Sequence, residues 1–206
     1  MTVYFIGGSP CSGKSTVAQV LSDQYHLRYF KVDDHLEKYM QMAAADGKKC
    51  CKAVEKMTPE QNWMRKPEEQ CEEELKIYEE IFPYILADLE KTECEHGIIT
   101  EGAAYLPSLM KACAIPVNRY LSITPTKEFQ VSHYRQREWV PYVLEGCSDK
   151  EKAFENWMER DALFAKAVQQ QCLHLEYLSL INNGTMPIEE MMEHIATHFD
   201  LTAVSK

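Results

Sequence analysis

An α/β fold with a mainly parallel sheet is what this 206-residue sequence predicts, and three observations predict it. Short β-branched and aromatic runs alternate along the chain with longer amphipathic stretches. The first run, TVYFI at 2–6, leads directly into a glycine-bounded loop and a helix-like segment. Helix-start and turn signals punctuate the rest, without internal repeats or low-complexity linkers.

The run at 2–6 reads as a buried strand, and a helix follows from 14 to about 25 with Val17, Val20 and Leu21 at core spacing. LRYFKV at 27–32 reads as a second strand ending at Asp33, Asp34 and His35, which completes a βαβ unit. From 36 to 91 the sequence is helical in character, and its acidic run EEQCEEEL at 68–75 reads as a solvated helix face. TPEQ at 58–61 supplies a Thr cap, a Pro at the first helical position and a Gln three residues on. Pro83 is expected to kink or split the helix that contains it.

GIIT at 97–100 reads as a third strand running into Glu101, and VNRYLSI at 117–123 as a fourth. TPTKEFQVSHYRQREW at 124–139 starts a helix with Pro in its first turn. SDKE at 148–151 has the form of a capping box, opening a helix that runs to about 174. EYLSLI at 176–181 is a fifth strand, NNGT a loop, and PIEEMMEHIATHF at 187–199 a closing amphipathic helix.

The net charge of −10 opposes a broad nucleic-acid footprint, which needs clustered positive charge. It leaves room for a small anion in a local basic pocket. No apolar run approaches the ~18 residues of a membrane span, and no basic leader or cleavage pattern opens the chain. The eight cysteines form no CxxC pair, so reduced thiols and a cytoplasmic location are expected, without a zinc site. Length fits one well-cored domain with insertions, or two small domains, and a single domain is expected. Oligomeric state is not legible.

The opening loop carries the chemistry. Gly8, Ser9, Pro10, Cys11, Ser12, Gly13, Lys14, Ser15 and Thr16 match G-x-x-x-x-G-K-[ST] at every fixed place. In such a loop several backbone N–H groups converge on a phosphate, which glycine permits. The following helix aims its N-terminal amides at the same anion. Lys14 would reach the β- and γ-phosphates, and the Ser15 hydroxyl would ligate Mg²⁺. With 8 Gly, 16 Lys and 20 Ser plus Thr, the four fixed positions match by accident in about one such chain in several hundred. A regulatory GTPase would also carry DxxG and NKxD after later strands, and neither is present.

The loop, the acidic end of the second strand, the helical stretch, the arginine pair in YRQREW and the late NNG loop together resemble the nucleoside- and nucleotide-kinase-like P-loop kinases, among them adenylate, shikimate and gluconate kinases. The resemblance implies a three-layer P-loop fold with a five-stranded parallel sheet. It also implies a substrate-binding insertion over 36–92, a lid over 125–147, and Mg²⁺ with ATP as the phosphate donor for a small-molecule acceptor.

In relatives that phosphorylate a hydroxyl, an acidic residue after the second strand resembles a general base or substrate anchor. Asp33 is favoured over Asp34, because neighbours on an extended chain point to opposite sides and Asp34 could cap the next helix. Glu101 stands where an Mg²⁺-holding aspartate is usual, so it serves the metal or the acceptor. Arg135 and Arg137, two apart on the expected helix, would not share a face; one could reach the transferring phosphate. Arg65 is a candidate substrate contact and Arg160 a further lid residue. Asn182, Asn183 and Gly184 fall where relatives place a base-contacting loop, and a simple turn explains them nearly as well. Only Arg65 lies within 36–92, with Lys48, Lys49 and Lys52 as substitutes, which tilts the acceptor towards a hydroxyl and away from a nucleoside monophosphate. A nucleotide-binding sensor that transfers nothing is the competing reading.

Overall fold

Strand β1 (Val3–Gly8) lies at the centre of a five-stranded sheet. A computed structural model describes residues 2–202. The chain runs from β1 through α1 (Lys14–Tyr25) to β2 (Arg28–Lys31) at one edge, and four helices follow: α2 (Leu36–Ala45), α3 (Lys49–Val54), α4 (Pro59–Trp63) and α5 (Pro67–Glu90). It returns to β3 (Ile98–Glu101), then α6 (Pro107–Ala112) leads across to β4 (Tyr120–Pro125). Helices α7 (Lys127–Tyr134), α8 (Val140–Val143) and α9 (Lys150–Leu175) precede β5 (Leu178–Asn182) and the closing α10 (Ile188–His198).

The strand order is β2-β3-β1-β4-β5 and every pairing is parallel. Chain direction across the sheet therefore reverses beside β1, and the loop after β1 sits at the carboxyl-end crevice where ligands of open α/β sheets bind. Register matters to that crevice. Glu101 stands level with Ile6 of β1 and Lys31 of β2, so its side chain starts directly beneath the glycine loop.

Period-two alternation on β1 divides the core between two faces. Phe5 packs with Ile98 and Tyr120 against residues of α2, α5 and α9, including Tyr39, Ile81 and Phe164. Tyr4 and Ile6 face the other way, with Ile99 and Leu121, onto Val17 and Leu21 of α1 and Ile195 of α10. The result is three layers, helices on both faces of a buried parallel sheet. No helix among the described residues is long and apolar enough to cross a membrane.

Several local expectations change in the folded chain. Helix α5 runs unbroken through Pro83. Pro83 and Glu79, whose carbonyl loses its i+4 donor, are both exposed, so water can satisfy the freed group. Two of the five glutamates in the acidic run at 68–75 are not solvated: Glu73 pairs with Arg65 and Glu74 with Arg160, while Glu68, Glu69 and Glu72 remain exposed. Pro125 ends β4 instead of opening a helix, and the Thr126 hydroxyl caps α7. α7 stops at Tyr134, which leaves Arg137 outside any helix. Asp149, not Ser148, caps α9 by accepting from Lys152 N, and Ser148 instead donates its N–H and hydroxyl to Glu60. The box at Thr58 and Gln61 forms as expected. The eight cysteines are all free.

Gly8 illustrates how tightly the sheet constrains the loop. Its φ is +114°, and a Cβ there would lie 1.9 Å from the Ile123 carbonyl oxygen on the paired strand. Gly47 also has positive φ, +80°, but open space around it. Gly8→Ala is therefore expected to cost more than ~3 kcal/mol or to prevent folding, whereas Gly47→Ala costs ~1 kcal/mol; urea denaturation followed by circular dichroism distinguishes them.

Candidate active site

Helix α1 opens on Gly13, in the left-handed region at φ 92°, with no side-chain cap. Its first backbone bond is Val17 N to Gly13 O at 3.1 Å, so the amides of Lys14, Ser15 and Thr16 have no partner within the helix. Cys11 also has positive φ, 58°, a strained choice for a residue with a side chain. The Ser9 hydroxyl is buried without a partner. A loop with unpaired donors at a helix N-terminus is an anion site by construction.

Lys14 is only 7% exposed. Its ammonium donates to the Ser9 carbonyl at 2.6 Å and lies 3.3 Å from Ser12 Oγ. Burial pulls it below its usual value, and the charges of Glu101, Asp33 and Asp161 act in the opposite sense. These carboxylates come from β3, the turn after β2, and α9, so three separate elements converge on one ammonium.

Ser15 donates its hydroxyl to Glu101 Oε1 at 3.0 Å, and Tyr29 donates to the same oxygen at 3.0 Å. Glu101 is 1% exposed and its Oε2 has no partner. Burial raises its carboxyl above the usual range; Lys14 pulls it down and Asp33 pushes it up. A hydroxyl and a carboxylate with an unpaired oxygen, both hard donors beside the glycine-bounded loop, fit Mg²⁺, which takes one or two protein oxygens and completes its shell with phosphate and water. Among the described residues, no group of three His, Cys, Asp or Glu stands ready to hold a metal by itself.

Asp33 and Asp34 do not lie on an extended strand. They belong to a 3₁₀ turn, Val32–His35, where successive side chains are about 120° apart. The charge of Asp33 bears on Lys14, Glu101 and Tyr78. Asp34 pairs with Lys31 at 3.5 Å and faces an open recess with Asp88 and Lys91. It caps nothing, since His35 precedes α2.

Arg135 and Arg137 line one recess beside α9 but make different contacts. Arg135 forms an exposed ion pair with Glu151 and lies over the Phe154 ring, on the outer side of α9. Arg137 packs on Tyr134 and Trp139 and acts on the Cys11 thiol, which burial pushes up and Arg137 pulls down. Of the pair, Arg137 is the one brought to the loop.

At the β5 end, Asn182 rather than Asn183 touches the loop, donating Nδ2 to the Ser12 carbonyl at 3.0 Å. Asn183 Oδ1 is occupied by the N–H and hydroxyl of Thr185, and Gly184 N–H by Asn182 Oδ1. The simple-turn reading accounts for both Asn183 and Gly184, while Gly184 is also pressed against the Phe129 ring.

A cavity of about 150 Å³ lies between α2, α5 and α9, with Arg65, Gln70, Glu73, Glu74, Tyr78 and Arg160 in its wall. Arg65 donates to Glu73 Oε2 at 2.6 Å and to Asn62 Oδ1 at 3.0 Å. Arg160 Nη1 meets Glu74 at 3.1 Å, and its Nε lies 2.7 Å from Asp161 Oδ1, an ion pair bent away from hydrogen-bond geometry. Beside Arg160, Trp63 of α4 stacks on Trp157 of α9 at 4.6 Å, with Trp139 and Tyr134 against Trp157. The 125–147 segment is thus packed onto α4 and α9, and Cys11 of the loop borders the same cluster.

Sequence reading missed Asp161, Tyr29, Glu74 and Tyr78. Asp161 carried a signal: it falls on the apolar stripe Trp157, Phe164, Val168 at helical spacing, and a carboxylate on a core stripe is out of place unless paired. Tyr29 on β2 gave no such sign.

Sheet order, loop and flanking helices together make a three-layer α/β fold with a glycine-bounded loop after its central strand. No family model matches the chain, and no curated protein matches its sequence. Among solved structures it is similar to a shikimate kinase from Bacteroides thetaiotaomicron, with 12% identity, 97% of this chain and 99% of that one covered, and a TM-score of 0.49. A shikimate kinase from Aquifex aeolicus is similar at 19% identity, 97% and 96% coverage and a TM-score of 0.42. An uncharacterized protein from Eubacterium ventriosum aligns at 16% identity, 97% and 98% coverage and a TM-score of 0.42. Nothing about substrate follows from likenesses this distant.

Glu74 and Asp161 share the one guanidinium of Arg160, and burial holds the Glu74 carboxyl at about 7 against an ordinary 4.5. Folding then favours its protonated form, so this contribution to stability is full below the unfolded value and is lost as pH rises through about 7. Glu74→Gln removes that dependence. Relative to the parent, the variant is expected to gain on the order of 1 kcal/mol between pH 5 and pH 8, measured as the change in the difference of their urea midpoints.

Proposed function

We propose that this chain is a phosphotransferase that moves the γ-phosphate of ATP to a hydroxyl of a small molecule. The observation that supports the reading is the buried Lys14 ammonium under the loop with the Ser15–Glu101 hydrogen bond beside it, and the charge of Asp33 acts on both Lys14 and Glu101. The triphosphate rests on residues 8–16, its oxygens taking the unpaired amides of the α1 start. Lys14 exchanges the Ser9 carbonyl for the β- and γ-phosphates. Ser15 and Glu101 would hold Mg²⁺, whose chemistry is to neutralise charge on those phosphates and fix their orientation.

Asp33 takes the proton of the acceptor hydroxyl as its oxygen bonds to the γ-phosphorus and the bond to the β-γ bridging oxygen breaks. The products are a phosphate monoester and ADP. Because the reacting groups are held and little covalent chemistry falls to the protein, alignment and charge stabilisation supply most of the rate. Arg137 stabilises the transferring phosphate from the lid side. The indole cluster that borders Cys11 of the loop supports water exclusion, which directs phosphate to the acceptor.

Calorimetry of Mg²⁺-ATP uptake, followed by a metabolite screen for acceptor-dependent ADP release, tests the reading. No uptake by folded protein would remove it. Uptake with slow ADP release and no phosphorylated acceptor would favour the sensor. Lys14→Ala is expected to lower phosphoryl transfer by at least ~10³-fold, and excess EDTA to abolish it. Arg137→Ala is expected to lower kcat by about 10²-fold, with Arg135→Ala within about twofold of the parent because its exposed ion pair is worth little.

A further inference from the structure

Glu101 is hydrogen-bonded by neutral donors although strand register sets a lysine beside it. Lys31 of β2 stands level with Glu101, and Tyr29 level with Ile99. Side chains two apart on a strand share a face, so Ile99 and Glu101 lie on the side of the sheet that carries α1, where Ile99 packs with Val17 and Leu21. Lys31, the nearer residue by register, pairs with Asp34 at 3.5 Å instead. Tyr29 reaches along the diagonal. Its hydroxyl donates to Glu101 Oε1 at 3.0 Å, the same oxygen that accepts from the Ser15 hydroxyl at 3.0 Å.

Two donors on one carboxylate oxygen have a consequence for Ser15. A hydroxyl meets a cation through its oxygen lone pairs, so its hydrogen needs a different acceptor. Glu101 Oε1 is that acceptor, and the second donor, from Tyr29, fixes the carboxylate that receives the Ser15 hydrogen. Because Tyr29 is neutral, it fixes Glu101 without cancelling its charge, as a lysine in its place would. Burial does not by itself explain the bond. Tyr29 is half-buried and lines, together with Ser15, an open recess of about 720 Å³, so water is within reach of this side chain. The ring packs against the α1-side core, a contact that phenylalanine would keep. The hydroxyl is therefore separable from the packing.

We infer that Tyr29 is a positioning residue for the metal of the phosphate site: through Glu101 it holds the Ser15 hydroxyl in the orientation in which Ser15 can ligate Mg²⁺. Partners one bond removed from a metal ligand commonly set metal affinity by about tenfold or more. The inference rests on the phosphotransferase reading and adds to it a residue of the edge strand β2 that lies outside the loop motif.

The test measures binding, not turnover. Calorimetry of the full chain gives the Kd of the non-hydrolysable β,γ-imido analogue of ATP with Mg²⁺ and with EDTA, and the ratio of the two reports the metal's contribution. Tyr29→Phe is expected to lower that ratio by about tenfold while the Kd in EDTA stays within about twofold of the parent. Replacing Tyr29 by 4-aminophenylalanine, which keeps a donor at the same end of the ring, should restore the ratio. If Tyr29→Phe does not fold, O-methyltyrosine in place of Tyr29 removes the donor hydrogen and keeps the ring, with the same expectation. A parent-like ratio in the variant overturns the inference. So does an equal loss of binding with and without Mg²⁺, which marks a general structural role, and so does a failed rescue. If the parent itself binds the analogue equally well in Mg²⁺ and in EDTA, the metal part of the phosphotransferase reading falls and this inference falls with it. If the parent binds no analogue in either condition, the whole phosphotransferase reading falls, and again this inference with it.

Discussion

A buried ammonium is the constraint on which this structure turns. Lys14 lies under the loop that follows the central strand, hydrogen-bonded to the Ser9 carbonyl, and an isolated cation there would be too costly to keep charged. Burial still pulls it down, and the charges that oppose this come from elements far apart in sequence: Glu101 at the end of β3, Asp33 after β2, Asp161 within α9. Parallel strands deliver the first two to one edge of the sheet. The need to neutralise one lysine thus gathers the groups that a phosphoryl-transfer site would use.

The same electrostatic bookkeeping recurs one layer out. Arg160 is nearly buried and is held by two carboxylates, while Arg65 is held by Glu73. Such buried pairs are weak evidence for stability, since desolvation offsets much of their attraction. Their effect is geometric: they fix the helices α4, α5 and α9 around a small cavity. The indole stack of Trp63 and Trp157 supplies the apolar contact that holds this arrangement, and the lid-side residues Tyr134 and Trp139 join the same stack.

Much of the fold was legible because local rules and tertiary packing agree. The βαβ start, the Thr58 capping box and the amphipathic closing helix α10 each formed where spacing and capping chemistry placed them. Disagreements arose where a local signal had two physical outcomes. Pro83 breaks a helix only if the freed carbonyl is stranded, and here it is at the surface. A run of glutamates is solvated unless cations lie across from it, and Arg65 and Arg160 do lie across from Glu73 and Glu74. Pro125 suits a helix start or a strand end equally well, and the ladder to β5 decided for the strand.

By itself the sequence determined the glycine-bounded loop after β1, because that motif is written in consecutive residues. It determined the alternation of strand and helix for the same reason, periodicity being a local property. That Asp34 pairs with Lys31, that Arg137 and not Arg135 acts on Cys11, and whether an arginine is free or already paired were decided only by the tertiary structure. Those outcomes depend on side chains from elements tens of residues apart, and Coulombic balance in a buried crevice belongs to the whole set of neighbours and to no single stretch of chain.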